Sequence, residues 1–290
     1  MAKQFGKDRL AVLIDADNAQ ASLFEAILSE IASLGLVAAK RIYGDFTSPN
    51  NAQWRKILQE FAIRPCQQFA YTKGKNATDG ALIIDAMDLL HSGLYDGFCI
   101  ISSDSDYTSL AVRIRESGLK VYGFGRSNTP EAFKNACDKF TKVELLGVKS
   151  SPTPEHPAKN AGGTKSSDND DGQAKGTKQP ASPAPQKQPA PAKAPPEKEG
   201  DAFTFEPFPL SLIHDAIEKV SDDTGWTPLS NLGAYLGQIK KDFDPRDYGC
   251  TNSKLSTFID QFSLYLESKR ISPSKGAPEV IYVRMRENFK

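Results

Sequence analysis

From residue 10 to residue 140 the apolar positions follow two alternating spacings. Short, nearly continuous apolar runs at 10–14, 36–43, 63–69, 98–101 and 119–124 have the length and branched content of buried strands. Between them apolar residues recur every three or four positions, as helices require. One such set is Leu23, Phe24, Ile27, Leu28, Ile31 and Leu34, and a second is Trp54, Ile57, Leu58 and Phe61. A third is Leu82, Ile83, Ala86, Met87 and Leu90, and a fourth is Leu110, Ala111 and Ile114. Gly35 and Gly93 are natural helix stops. Thr78 or Asp79 opens the third helix, Ser105 or Asp106 the fourth, and Thr129-Pro130 opens a last one over 131–140. Gln67 and Gln68 place the third strand nearer an edge. Strands alternating with helices predict an α/β domain over 1–150, built on a doubly wound parallel sheet.

The pattern then stops. Residues 151–200 hold ten of the chain's 19 prolines and no Val, Ile, Leu, Met, Phe, Tyr or Trp. Such a stretch cannot bury enough apolar surface to offset its ordering entropy, so a disordered linker is expected over 151–202, stiffer through its Pro/Ala-rich part. Helical spacing returns with Phe208, Leu210, Ile213, Ala216, Ile217 and Val220, then with Leu232, Tyr235, Leu236 and Ile239. After a turn at 244–249, residues 253–266 carry Leu255, Phe258, Ile259 and Phe262 at the same spacing. Residues 271–285 alternate as a hairpin does, around Lys275-Gly276-Ala277-Pro278. Three helices and a two-stranded wing predict a small winged-helix domain (helix-turn-helix plus wing) over 203–290.

Composition narrows the function classes. The 36 Lys+Arg balance the 36 Asp+Glu, so net charge announces no polyanion partner. No apolar run reaches the roughly 18 residues of a membrane span, and the first nine residues lead into a strand without a signal-peptide core. A cytoplasmic protein is expected. The four cysteines never pair as C-x-x-C and read as reduced, buried thiols. With three histidines, one of them in the linker stretch, a histidine-ligated zinc or a histidine-based triad is not expected.

The chemistry lies in the acids that end the strands. Asp15 closes the first, Asp45 the second, Asp79 opens the helix after the third, and Asp104 and Asp106 follow the fourth. All five fall on the carboxyl edge of the sheet, where open α/β sheets bind ligands at the reversal of strand order. One aspartate there is an ordinary helix cap; five repel one another unless cations bridge them. Oxygen donors suit Mg²⁺ or Mn²⁺, and paired ions of this kind can stabilise the attacking and leaving oxygens of a phosphodiester. Lys75 and Asn76, just before Asp79, are placed to meet a phosphate. Residues 1–150 contain 18 Lys+Arg and 17 Asp+Glu; without the five edge aspartates the acids number 12, and the remaining surface is basic. Asp85 and Asp88 share a helix with Asp79 but, at about 100° per residue, not its face.

These residues carry a resemblance. Ile-Asp-Ala-Asp-Asn (14–18), Tyr-Gly-Asp-Phe (43–46), Lys-Asn-Ala-Thr-Asp (75–79), Ser-Ser-Asp-Ser-Asp-Tyr (102–107) and Val-Tyr-Gly-Phe-Gly (121–125) together resemble the NYN family, LabA-like members of the PIN-like nuclease superfamily, over about residues 8–145. The resemblance implies a PIN-like fold, a divalent metal at the acidic cluster and cleavage of RNA. It implies Asp15, Asp79 and Asp104 as metal ligands and Asp106 as an outer ligand. Asn18 would position the first aspartate or a water, and Asp45 transfers less well. Residues 243–249, Phe-Asp-Pro-Arg-Asp-Tyr-Gly, with Ser253-Lys254-Leu255 and Phe258, resemble the OST-HTH/LOTUS winged helix, which implies RNA binding. With 11 Lys+Arg against 13 Asp+Glu in 201–290, that binding needs a local patch, for which Lys254, Lys269, Arg270, Lys275, Arg284 and Arg286 are the candidates. Tyr248 and Phe258 read as core residues.

The reading is therefore a metal-dependent endoribonuclease with a tethered RNA-binding module. Its rival is a non-catalytic RNA-binding adaptor whose acids hold a structural ion or none. A homo-oligomer contact or a protein partner through the C-terminal domain is the alternative role for that module. Asp15-Ala-Asp17 also resembles the nucleophile motif of haloacid-dehalogenase phosphatases, but Asn18-Ala19 departs from its continuation, and no G-x-G-x-x-G follows the first strand.

Overall fold

The computed structural model describes residues 6–69, 77–147, 205–272 and 278–289. Lys75, Asn76, Lys275 and the expected linker lie outside the described residues. The N-terminal domain runs β1 (Arg9–Asp15), α1 (Phe24–Leu34), β2 (Leu36–Gly44), α2 (Trp54–Glu60), β3 (Arg64–Gln67), α3 (Ala77–His91), β4 (Gly97–Ile101), α4 (Thr108–Glu116), β5 (Lys120–Gly125), α5 (Glu131–Ala136), β6 (Lys139–Lys142) and α6 (Glu144–Gly147). The six strands are all parallel, in the order β3-β2-β1-β4-β5-β6. The order reverses between β1 and β4.

Alternation along the strands builds two cores. Leu10, Val12 and Ile14 point to one face and pack with Phe24, Ile27 and Ile31 of α1 and Trp54 of α2. Ala11 and Leu13 point to the other, against Leu82 and Ala86 of α3 and Leu110 and Ile114 of α4. With both faces covered, β1 and β4 must be apolar throughout, which explains their continuous runs.

One expected element divides in two. The last helix of the domain, expected over 131–140, ends at Ala136, and Lys139–Lys142 form a sixth strand. Phe133, Cys137 and Phe140 imitate helical spacing, but Cys137 is extended (φ −84°, ψ 159°) and Phe140 turns into the sheet core. Gly123 on β5 makes room: a Cβ there would lie 2.6 Å from the Phe140 ring and 2.8 Å from Cys137 Sγ.

The C-terminal domain comprises α7 (Leu210–Val220), β7 (Thr227–Pro228), α8 (Leu229–Ile239), α9 (Leu255–Gln261), β8 (Leu266–Ile271) and β9 (Val280–Met285), with an antiparallel sheet ordered β7-β9-β8. This is the expected winged helix around one core that includes Ile213, Leu232, Tyr248 and Phe258. The third helix is shorter than its spacing implied. Phe208 stacks on Tyr265 at 4.4 Å and against Phe262 at 4.8 Å, and the chain leaves the helix there to begin β8.

The two domains form one compact unit. The edge strand β6 accepts the loop after α8: Phe140 N–H donates to Lys241 O at 3.0 Å. Beside it, Lys142 Nζ lies 3.0 Å from Asp247, 3.5 Å from Glu206 and 3.6 Å from Asp242. Lys142 and Asp247 are both almost fully buried. Arg246 grips Asp244 at 2.7 Å and reaches Glu30 of α1 at 3.5 Å. An open sheet edge is a liability unless covered or charged; here it is both.

Candidate active site

Asp15 ends β1 with no exposed surface. Its carboxylate accepts from Asn18 Nδ2 at 2.7 Å, Ser102 Oγ at 2.9 Å and the Asp17 N–H at 3.1 Å. Burial raises its pKa above the ordinary carboxylate value, and those three hydrogen bonds oppose the rise while the nearby Asp79 charge adds to it. Ser102 is a bridge across the strand-order reversal, since its hydroxyl also accepts from the Asp104 N–H at 3.0 Å. The end of β5 closes on this bridge: a Cβ at Gly125 would meet the Ser102 carbonyl at 2.5 Å.

Asp104 caps the short 3₁₀ turn 105–107, accepting from the Asp106 N–H at 2.9 Å. Asp79, in the first turn of α3, accepts from the buried Tyr107 hydroxyl at 2.8 Å. Burial raises the Asp79 pKa, the Tyr107 hydrogen bond lowers it, and Asp104, Asp106 and Asp17 raise it again. Asp79, Asp104 and Asp106 each bring a carboxylate oxygen within 4.8 Å of the others. Three hard oxygen donors this close fit a small divalent cation such as Mg²⁺ or Mn²⁺. Neither Asp79 nor Asp104 has an ion pair with a lysine or arginine among the described residues.

The other expected residues separate. Asp15, buried at the end of β1, lies outside the set of mutually close carboxylates and is coupled to Asp79 by charge. Asp45 accepts from the Thr47 N–H and hydroxyl and from Gln67 Nε2, hydrogen bonds that hold its pKa below the usual value and fasten its own loop. Asp85 pairs with Arg41 and Tyr43, away from the trio. Lys254 precedes α9 and Arg270 lies on β8, both exposed. Lys269 and Arg284 instead cover Trp226, at 3.9 and 4.6 Å from its ring.

Several contributors escaped the sequence reading. Asp17 accepts from Asn51 Nδ2 at 3.0 Å and from Thr78 Oγ1 at 3.4 Å, tying the loop after β1 to α3. Gly44 lets Asn51 approach: a Cβ there would lie 2.8 Å from that of Ala16 and 3.3 Å from Asn51 Nδ2. Tyr107 reads as one more apolar residue in the pattern, and Asn51 sits in a polar loop without periodicity. Asp17, Ser102 and Tyr107 left a signal as members of the acidic motifs, whereas Asn51 left none.

The sheet order, the acids at its reversal and the companion winged helix define a PIN-like α/β domain joined to a small winged-helix domain. The NYN domain model matches residues 9–145 and the OST-HTH/LOTUS domain model matches residues 207–276, so the chain carries an NYN domain followed by an OST-HTH/LOTUS domain. No curated protein matches it. Among solved structures it is similar to a protein of unknown function, VPA0982, from Vibrio parahaemolyticus, with 19% identity over 48% of this chain and 94% of that one, TM-score 0.40. It is also similar to an uncharacterized protein from gene locus NE0665 of Nitrosomonas europaea, with 29% identity over 33% of this chain and 91% of that one, TM-score 0.26.

Proposed function

We propose that the protein is a cytoplasmic, divalent-metal-dependent ribonuclease that hydrolyses RNA phosphodiesters at the aspartate cluster, its OST-HTH/LOTUS domain holding the RNA. NYN is a nuclease-like domain and OST-HTH/LOTUS domains bind RNA. The observation that supports catalysis most is the convergence of Asp79, Asp104 and Asp106 within 4.8 Å at the strand-order reversal. These three residues would hold Mg²⁺ or Mn²⁺. Such an ion, when bound, supplies charge stabilisation at the phosphodiester and makes water a better nucleophile near neutral pH. The chain's own residues fix the geometry. Tyr107 orients Asp79, while Asn18 and Ser102 hold Asp15 in place at the end of β1.

The test is incubation of the purified full chain with single- and double-stranded RNA and DNA, with Mn²⁺ or Mg²⁺ and then with EDTA. RNA cleavage should stop with EDTA and be abolished by Asp104→Asn, whose fold and thermal midpoint should hold. Cleavage by Asp104→Asn at the wild-type rate removes the assignment. Metal-independent RNA binding without any cleavage by the wild type favours an adaptor instead.

A further inference from the structure

Beside the trio lies a second feature that the acids do not explain. A cleft of about 450 Å³ is lined by Asp17, Gln20, Asn51, Gln53 and Arg126, together with small residues of the 16–22 loop. It adjoins the acidic cluster on two sides. Asp17 on its wall is tied to Thr78, the neighbour of Asp79, and the Arg126 N–H donates to Ser103 Oγ, beside Asp104, at 2.9 Å. The loop carrying Arg126 is anchored at its next residue, where the Ser127 N–H donates to Glu144 at 3.1 Å. The Arg126 guanidinium is exposed and makes no ion pair among the described residues, and the Gln20 and Gln53 side-chain amides make no hydrogen bond there. Asn51 is already committed, its amide holding Asp17 and the Asp45 carbonyl.

We propose that this cleft is a nucleotide subsite, seating the ribonucleotide next to the phosphate at the acidic cluster. The proposal rests on the ribonuclease reading of that cluster and adds to it where the substrate lies. An RNA backbone approaching the three aspartates of the cluster needs a cation beside them, and Arg126 supplies one, matched in fork geometry to a phosphate. Gln20 and Gln53 offer donor and acceptor together, the pairing that planar amides use on base edges. Among the described residues no aromatic side chain lines the cleft, so there the base is held by its edge rather than by stacking. An edge is free only in an unpaired base, and the volume fits a small ligand rather than a duplex. The subsite therefore takes single-stranded RNA.

The experiment uses the full-length protein and fluorescent six-nucleotide homopolymers of A, C and U, titrated in Ca²⁺ from 50 to 200 mM salt, with a parallel cleavage assay in Mn²⁺. Arg126→Ala should bind about ten-fold more weakly, as loss of one charged hydrogen-bonding contact requires. Its log–log salt slope should flatten by about 0.7, the value for one phosphate of a single strand. Arg126→Lys should keep the slope, and Gln53→Ala should keep it while narrowing the differences among the three homopolymers. Wild-type affinity and slope in Arg126→Ala overturn the subsite, as does a wild type that binds no hexamer. A wild type that binds with the Arg126 signature but never cleaves leaves the subsite standing and removes the nuclease reading. Cleavage that depends on Asp104 but is blind to Arg126 in both assays does the reverse.

Discussion

Replacing Lys142 by Met should separate the two domains without unfolding either, and the effect should fade on acidification. Lys142 is the nearest cation to Asp247, Glu206 and Asp242, all within 3.6 Å of its ammonium, while Lys134 reaches Asp242 and Lys240 reaches Glu206 at 3.8 Å. Burial opposes its charge, but those acids, Asp247 foremost, raise its pKa. On the other side of the pair, burial pushes the Asp247 carboxyl up to about 6 although Lys142 lowers it. The carboxylate is thus costly even when paired, and Asp247 Oδ1 has no hydrogen-bond partner among the described residues. Removing one partner of a buried pair typically costs about 3–5 kcal/mol. Protonation of Asp247 sets the ceiling. From an ordinary value of 3.8 and about 1.36 kcal/mol per pH unit, neutralising it costs about 5 kcal/mol at pH 7.5 and about 2 at pH 5.5. Small-angle scattering should show a larger radius of gyration for Lys142→Met at pH 7.5 and recovery toward wild type at pH 5.5. Calorimetry should resolve two transitions where the wild type has one. The double variant Lys142→Met/Asp247→Asn should dock again at pH 7.5, because a neutral pair carries no stranded charge. An unchanged radius and a single transition in Lys142→Met at pH 7.5 refute the reasoning.

Asn18→Ala removes a 2.7 Å donor from buried Asp15 and should destabilise the N-terminal domain by about 1.5–3 kcal/mol at pH 7.5; an identical urea midpoint counts against it. In the wild type, Asp247 has a higher pKa docked than free, so its contribution to docking is fully present below about pH 4 and is lost as pH rises through 6; calorimetry between pH 4 and 8 tests that direction. Mn²⁺ at a hundred times its dissociation constant should raise stability by about 2.7 kcal/mol, measured as a shift in thermal midpoint that Asp104→Asn abolishes. Because burial and neighbouring acids raise the Asp79 pKa, protons compete with the metal earlier than at an ordinary aspartate. Calorimetric Mn²⁺ affinity should fall between pH 7 and 5, and a constant affinity would contradict that electrostatic account.

What was legible in the sequence follows a physical rule. Strands covered on both faces have to be apolar at every position, so β1 and β4 show as uninterrupted runs, and the acids that end them show by contrast. β6 was hidden because four residues are too few for a period, and Phe133, Cys137 and Phe140 have helical spacing although a sheet buries the last. The supports of the site were hidden for a different reason. Tyr107 meets Asp79 across 28 positions and Asn51 meets Asp17 across 34, and neither pair has a spacing that marks it. The domain interface was the least visible. Lys142, Asp242 and Asp247 look in sequence like solvated charges, and only the tertiary fold buries them together.

The chain treats its buried acids in two opposite ways, and the contrast bears on what the strand-end aspartates are for. At the interface each carboxylate has a cation of the same chain: Asp247 and Asp242 share Lys142, and Asp244 holds Arg246 in a pair at 2.7 Å. At the strand ends the described residues supply hydroxyls and amides instead. Asp15 receives Asn18 and Ser102, and Asp79 receives Tyr107. Neutral donors fix a carboxylate's direction but leave its charge in place, and the raised pKa values of Asp15 and Asp79 record first the cost of burying that charge and then the neighbouring acids. A protein that needed these acids only for stability could have paired them, as it does across the interface. Orientation without neutralisation suits a site whose cation comes from outside the chain. Arg126 stands one residue beyond β5, its N–H on Ser103 Oγ beside Asp104, and among the described residues its guanidinium makes no ion pair. There its charge remains available to a phosphate.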